Sequence, residues 1–206
     1  MLRLALTGGI ATGKSHVANR LREASVPVVD ADVLSREVLA PGTPGLDAVV
    51  ARFGSSVLTP DGALVRARLG DIVFRDQAAR RDLEGIVHPA VRKSVAEFFE
   101  QLQATTALAV ADIPLLYETG GEDRFDKVVV VACSQEQQLE RVMARDGLTR
   151  ADAERRIASQ WPMEDKVKRA DYVIRTDGTH AETDAQVAAL LARLYAEVGR
   201  DREVDR

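Results

Sequence analysis

"LTGGIATGKSHV", residues 6–17, is the stretch whose reading decides the fold. It follows the apolar run "LRLAL" (2–6) and leads into a segment where Val17, Leu21 and Ala24 share one face at i, i+4, i+7 spacing. Within it, Gly8 to Ser15 fit the pattern G-x-x-x-x-G-K-[ST], with a strand before and a helix after. Phosphate oxygens carry dense negative charge. A loop that surrounds them must turn consecutive backbone N–H groups inward, which requires glycine-compatible angles and no obstructing side chains. The helix that follows adds its positive N-terminal end. The pattern therefore predicts a nucleotide site built from Gly9, Ala11, Thr12, Gly13, Lys14, Ser15 and His16. Lys14 reaches the β- and γ-phosphates and the Ser15 hydroxyl ligates Mg²⁺. The motif alone does not choose between a kinase, a switch GTPase and a motor.

Outward from this loop, short apolar runs alternate with helical patterns. "LRLAL" (2–6), "VPVV" (26–29), "ALAVAD" (107–112), "KVVVVAC" (127–133) and "DYVI" (171–174) read as five buried strands. Continuous β-branched runs of this length fit a parallel sheet covered on both faces. The expected fold is α/β: a doubly wound, parallel five-stranded sheet with helices on both faces. Val187, Leu190, Leu191, Leu194, Tyr195 and Val198 form an apolar helical stripe near the end, and Ser134 with Gln137 and Thr149 with Asp152 read as helix starts.

Two stretches break the alternation. Residues 41–104 begin at the turn-rich "APGTPG" (40–45), carry several helical patterns and no convincing strand, and read as a helical insertion on the substrate side. Residues 136–165 hold two helices around "RDGLT" (145–149) and are dense in arginine (Arg141, Arg145, Arg150, Arg155, Arg156), as expected of a small helical lid. The nucleotide-binding core is then 1–40, 105–135 and 166–198. The charged tail 199–206 is expected to be disordered.

The 206 residues, 46% of them hydrophobic and 29% charged, can bury a substantial core. A net charge of −4 does not suggest broad adhesion to nucleic acid or to anionic membranes. Cys133 is the sole cysteine, so no intramolecular disulfide forms. With no charged-then-apolar leader and no apolar run of the roughly 20 residues a spanning helix needs, a cytoplasmic protein without a membrane partner is expected, as a monomer or weak homo-oligomer.

The second strand ends in "DAD" (Asp30, Ala31, Asp32). Ligands of open α/β sheets bind at the carboxyl ends of strands. One of these carboxylates could hold metal-bound water while the other takes the proton of an attacking hydroxyl. The plainer alternative is that Asp32 only caps the helix "VLSREVLA" (33–40). Asp112, closing "ALAVAD", resembles a metal-holding strand-end carboxylate, and is equally compatible with a turn.

The sequence also resembles the dephospho-coenzyme A kinase family from residue 2 to about 178. The resemblance is carried by "LTGGIATGKS" (6–15), "DADVLSREV" (30–38), "VRARLGDIVF" (65–74), "LEGIVHPAVR" (83–92), "DIPLLYETG" (112–120), "QLERVMARDGLTRADAERRIASQ" (138–160) and "ADYVI" (170–174), in matching order and spacing. It implies phosphorylation of the ribose 3′-hydroxyl of dephospho-coenzyme A by ATP, the last step of coenzyme A synthesis. By the same resemblance Asp32 orients or deprotonates the hydroxyl, Lys14 and Arg145 are catalytic, Arg141 contacts nucleotide phosphate, and Ser15 with Asp112 serves Mg²⁺. Arg66 and His88 fall in acceptor-binding segments. Tyr117 and Glu118 line the acceptor pocket or simply close the Pro-Leu-Leu turn. Leu115 is a further acceptor-side candidate by the resemblance, although with Leu116 it reads as core.

The resemblance breaks at two places. Ala11 stands where the family commonly has glycine, at little cost unless the residue is left-handed. In "IRTDG" (174–178), Thr176 and Asp177 occupy a position near the adenine where the family usually carries asparagine. Adenine readout then falls to backbone contacts, or to Asp177 accepting from the adenine amino group. Of the competing readings, a switch GTPase needs an N-K-x-D guanine reader, which this chain lacks. Another small-molecule kinase of nucleoside, nucleotide or shikimate type shares the phosphate loop and lid, and differs only in the segments quoted above.

Overall fold

The computed structural model describes residues 1–204. Five strands form, β1 (Leu2–Gly8), β2 (Val28–Asp30), β3 (Leu108–Asp112), β4 (Lys127–Ala132) and β5 (Tyr172–Arg175), in the order β2-β3-β1-β4-β5. β1 lies between β3 and β4 and pairs with both in parallel, and β4 pairs in parallel with β5. The phosphate loop therefore leaves the central strand at its carboxyl end.

Strand periodicity distributes the core onto two faces. Leu4 and Leu6 of β1, with Leu108, Val110, Val129, Val131 and Ile174, pack against Val17, Ala18 and Leu21 of α1 (Lys14–Glu23) and against Val187, Leu190, Leu191 and Leu194 of α9 (His180–Val204). On the opposite face, Ala5 and the alternate β4 residues Val128, Val130 and Ala132 meet Leu116, Tyr117 and the apolar side of α8 (Met163–Arg169). Ala24 and Tyr195, expected on apolar faces, are exposed. Ala24 is the C-cap of α1, where the chain already leaves the helix, and Tyr195 lies to one side of the buried 187/190/191/194 row. The α9 helix runs on to Val204, so the segment expected to be a disordered tail is helical up to that residue. Residues 205–206 lie outside the described residues.

The chain divides into two compact units, one of residues 1–29 with 101–206, the other of residues 30–100. The second unit thus begins at Asp30, some ten residues before the composition shift at 40–45, and takes in α2 (Ala31–Glu37) with α3 (Pro44–Phe53), α4 (Arg66–Arg75) and α5 (Gln77–Leu102). Its own core is Leu39, Val49, Val57 and Leu69, with Leu83, Ile86 and Val87 of α5 packed alongside. Ser134 and Thr149 cap α6 (Gln135–Asp146) and α7 (Arg150–Ala158): each hydroxyl accepts a backbone N–H three residues on, at 3.3 and 3.2 Å.

Candidate active site

A loop that presents amides to an anion must place its carbonyls elsewhere, because a trans peptide directs C=O and N–H oppositely. Here every carbonyl from Gly8 to Thr12 has a donor. Gly8 O accepts from Lys166 Nζ at 3.1 Å. Gly9 O accepts from the Thr12 hydroxyl at 2.9 Å, and Ile10 O from Gln138 Nε2 at 2.8 Å. Ala11 O takes Arg141 Nη1 at 3.4 Å, and Thr12 O takes the Thr176 hydroxyl at 2.7 Å. Gln160 completes the grip by accepting the Ile10 N–H at 2.8 Å. Helix α1 then follows Gly13 (φ 82°), an N-cap with no side-chain hydrogen bond, which suits its N-terminus to receive an anion.

Two backbone details set the loop's shape. Gly8 is squeezed: a Cβ there would fall 2.6 Å from the Val131 carbonyl oxygen and 2.8 Å from Thr12 Oγ1. Ala11 has φ 56°, the left-handed conformation in which the departure from glycine does carry a cost.

The Lys14 ammonium is paired with the carboxylate of Asp112 at the end of β3, and Asp112 is 3% exposed. Ser15 is exposed at the start of α1. The Ser15 hydroxyl and Asp112 carboxylate are hard oxygen donors of the kind Mg²⁺ takes, so the donor set fits that ion. Among the described residues no cluster of three or more His, Cys, Asp or Glu forms a ready-made metal cage. His16 in the first turn of α1 contacts Asp184 through Nε2 at 2.7 Å and stacks on His180 with ring centroids 4.4 Å apart.

The arginines divide. Arg141 bonds the Ala11 carbonyl and both the hydroxyl (3.2 Å) and carbonyl (2.7 Å) of Thr176, and so ties the phosphate loop to the loop after β5. Arg145 is exposed and bonds Asp146, which Arg156 also reaches. These contacts, chiefly the Arg145 hydrogen bond, hold the Asp146 carboxyl below its ordinary range. Of the two residues in the expected asparagine position, Thr176 is buried in the Arg141 network. Asp177 has its Oδ1 on the Ser134 N–H at 2.7 Å and its carbonyl on Gln137 Nε2 at 2.7 Å.

Of the residues expected to serve the acceptor, those in unit 30–100 come first: the cap of α2 is Asp30, not Asp32. Asp30 Oδ1 accepts the N–H groups of Asp32 at 2.8 Å and Val33 at 3.3 Å. The helix begins one residue after the strand ends, so the first aspartate is the one placed to cap. Asp32 sits exposed in the first turn, its carboxylate without a hydrogen bond among the described residues. Arg66 opens α4 and donates to the Arg36 carbonyl at 3.3 Å. His88 lies in mid-α5, its pKa pulled below 6.5 chiefly by loss of hydration, with Arg92 adding to the shift and Glu84 opposing it. Leu116 is core as expected, but Leu115 is 41% exposed, because the turn after β3 aims only one of the two inward. The Tyr117 ring stacks on Trp161 under the Arg169 guanidinium, and burial pushes its hydroxyl up to about 12. Glu118 Oε1 pairs with Lys166 at 2.7 Å and accepts the Trp161 N–H at 3.0 Å. Sequence reasoning missed Gln138, Gln160 and Lys166. Gln138 and Gln160 open and close the stretch 138–160 that carries the resemblance, but nothing in it pointed to these two side chains, and Lys166 lies in the charge-rich "MEDKVKR" (163–169), outside every stretch quoted above.

The sequence model of the dephospho-CoA kinase family matches residues 2–182. The chain is 46% identical over 191 residues to the dephospho-CoA kinase of Geobacillus kaustophilus, covering 92% of this chain and 95% of that protein. It is 48% identical over 198 residues to that of Anaeromyxobacter dehalogenans, with 96% and 94% covered. Among solved structures, the dephospho-CoA kinase of Campylobacter jejuni superposes with a TM-score of 0.74 at 27% identity, over 93% of this chain and 96% of that one. The shikimate kinase of Acinetobacter baumannii, at 16% identity and a TM-score of 0.53 over 96% and 94%, shares the fold alone. With a match that spans the phosphate loop, Asp30 and Asp32, and helices α6 and α7, the chain belongs to the dephospho-CoA kinase family.

Proposed function

We propose that the protein transfers the γ-phosphoryl group of ATP to the ribose 3′-hydroxyl of dephospho-coenzyme A, giving coenzyme A and ADP. The observation that carries the phosphoryl-transfer half is the fixing of the Gly8, Ile10 and Thr12 carbonyls by Lys166, Gln138 and Thr176, which preorganises the opposing amides of Gly9, Ala11 and Gly13 for the triphosphate. The acceptor is supported by family membership. No helix among the described residues is long and apolar enough to cross a membrane, and the reading sets the reaction in the cytoplasm.

The roles follow from chemistry. Lys14 leaves Asp112 for the phosphates, and Ser15 with Asp112 would hold Mg²⁺, which when bound neutralises charge on the β- and γ-oxygens. Asp32, with its carboxylate unengaged, accepts the proton of the 3′-hydroxyl as that oxygen attacks phosphorus. Arg145 exchanges Asp146 for the transferred group, whose equatorial oxygens gain charge. Arg66 and His88 serve the acceptor; His88, held neutral, acts as a hydrogen-bonding group rather than as a base. Incubation with ATP, Mg²⁺ and a panel of alcohols, followed by ADP release, tests the reading. Turnover is expected with dephospho-coenzyme A and not with nucleoside monophosphates or shikimate. Turnover with either of those instead overturns the acceptor while leaving the phosphate site intact.

A further inference from the structure

Behind the phosphate loop lies a buried cation to which the reaction assigns no role. Lys166, on α8, is 0% exposed. Its ammonium donates to the Gly8 carbonyl at 3.1 Å and pairs with Glu118 at 2.7 Å. The second carboxylate oxygen of Glu118 is buried and has no hydrogen-bond partner among the described residues. Such a pair is a poor device for stability alone, since neutral side chains of equal size often serve as well in a protein interior. What the lysine adds that a neutral chain cannot is a full positive charge on one particular carbonyl.

That carbonyl belongs to the residue where β1 gives way to the loop. Gly8 has no side chain to anchor it, and none fits, because a Cβ would collide with the backbone of β4. Glycine backbone is also the most freely rotating, so this junction is where the loop's entry angle is least determined by the chain itself. Holding Gly8 O toward α8 turns the next amide, that of Gly9, the opposite way, into the loop. The other outward carbonyls are held by neutral side chains or by Arg141; this one is held by a cation whose charge stays strong because water is excluded from it.

We propose that Lys166 is a positioning residue of the phosphate loop, and that Glu118 is its counter-charge rather than a ligand of the acceptor. The proposal rests on ATP being the phosphoryl donor, as argued above. Equilibrium ATP affinity, measured without acceptor, separates its failure from a wrong acceptor.

Lys166→Met alone strands the Glu118 charge and can cost the fold, so the decisive variant is Lys166→Met/Glu118→Gln. It buries no charge, and its glutamine still accepts the Trp161 N–H. The double variant is expected to melt within about 4 °C of the parent. It is expected to bind ATP more weakly, and to turn over more slowly, by on the order of tenfold or more, as a misplaced binding group does. Its KM for dephospho-coenzyme A stays within about threefold, because uniform binding of the acceptor is untouched. Three results overturn the proposal. One is ATP binding and kcat restored to parental values in the double variant. Another is a raised acceptor KM with ATP affinity unchanged, which makes Glu118 an acceptor ligand. The third is a double variant that does not fold, which makes the pair a requirement of the fold rather than of the loop.

Discussion

The two aspartates of "DAD" are two residues apart and chemically identical, yet their surroundings assign them opposite duties, and one pair of substitutions separates them. Asp30 Oδ1 receives two backbone N–H groups at the start of α2. Its replacement by alanine removes that cap, a loss of about 1 kcal/mol, which for a chain of this length lowers Tm by about 2–4 °C. Turnover should fall no more than the loosened first turn of α2 requires, a few-fold at most. Asp32 gives a mirror image. Its carboxylate bonds to nothing among the described residues, so Asp32→Asn sacrifices only its interaction with the helix N-terminus, a few tenths of a kcal/mol. The same substitution removes the proton acceptor and should lower kcat by at least about a hundredfold, with ATP affinity nearly intact. Calorimetric melting, nucleotide titration and steady-state kinetics on both variants provide the three readouts. If Asp30→Ala abolishes turnover while Asp32→Asn retains most of it, the assignment of base and cap is wrong.

Ala11→Gly should leave stability unchanged or raise it by up to about 1 kcal/mol, since relief of a left-handed alanine (φ 56°) offsets or exceeds the added freedom of glycine in the unfolded chain; a Tm drop of several degrees would show that the alanine is unstrained. Gly8→Ala should destabilise by about 1–3 kcal/mol and weaken ATP binding, because its methyl meets the Val131 carbonyl of the neighbouring strand β4 at 2.6 Å; a variant as stable and as tight-binding as the parent contradicts this. His88 has a folded-state pKa below its unfolded value of 6.5, so as pH falls the unfolded chain takes up the proton first. The stability that neutral His88 provides is therefore full above pH 6.5 and is lost on acidification. His88→Gln should flatten the decline of Tm between pH 7 and pH 5, and an unchanged pH slope would refute the link.

The parts of the molecule written in short-range patterns were legible in the sequence. Short apolar runs, β-branched in "KVVVVAC" and "VPVV" and leucine- and alanine-rich in "LRLAL" and "ALAVAD", marked the five strands, because a sheet covered on both faces leaves little room for polar residues. The Ser134 and Thr149 caps were equally plain, since a cap is a contact between residues three apart. The phosphate loop was visible for the same reason. What sequence could not give were contacts made across long separations. Lys166 is 158 residues from the Gly8 carbonyl it holds, and Gln138 and Gln160 are 128 and 150 from Ile10. The resemblance puts Arg141 at the nucleotide phosphates; what it did not give are the hydrogen bonds to the carbonyls of Ala11 and Thr176 and to the Thr176 hydroxyl, 130 and 35 residues away. Where two like residues stand close together, a shift of one or two positions decided the outcome. Asp30 rather than Asp32 became the cap, and Leu116 rather than Leu115 entered the core.

The central claim is that a triphosphate held by the loop amides gives up its terminal group to one particular alcohol. The most direct measurement is the structure of the product. After incubation with ATP and dephospho-coenzyme A, phosphorus–proton correlation by NMR should place the new phosphate on the ribose 3′-oxygen, with one ADP formed per coenzyme A. A phosphate on any other oxygen, or ADP formed with the acceptor unchanged, would contradict the account.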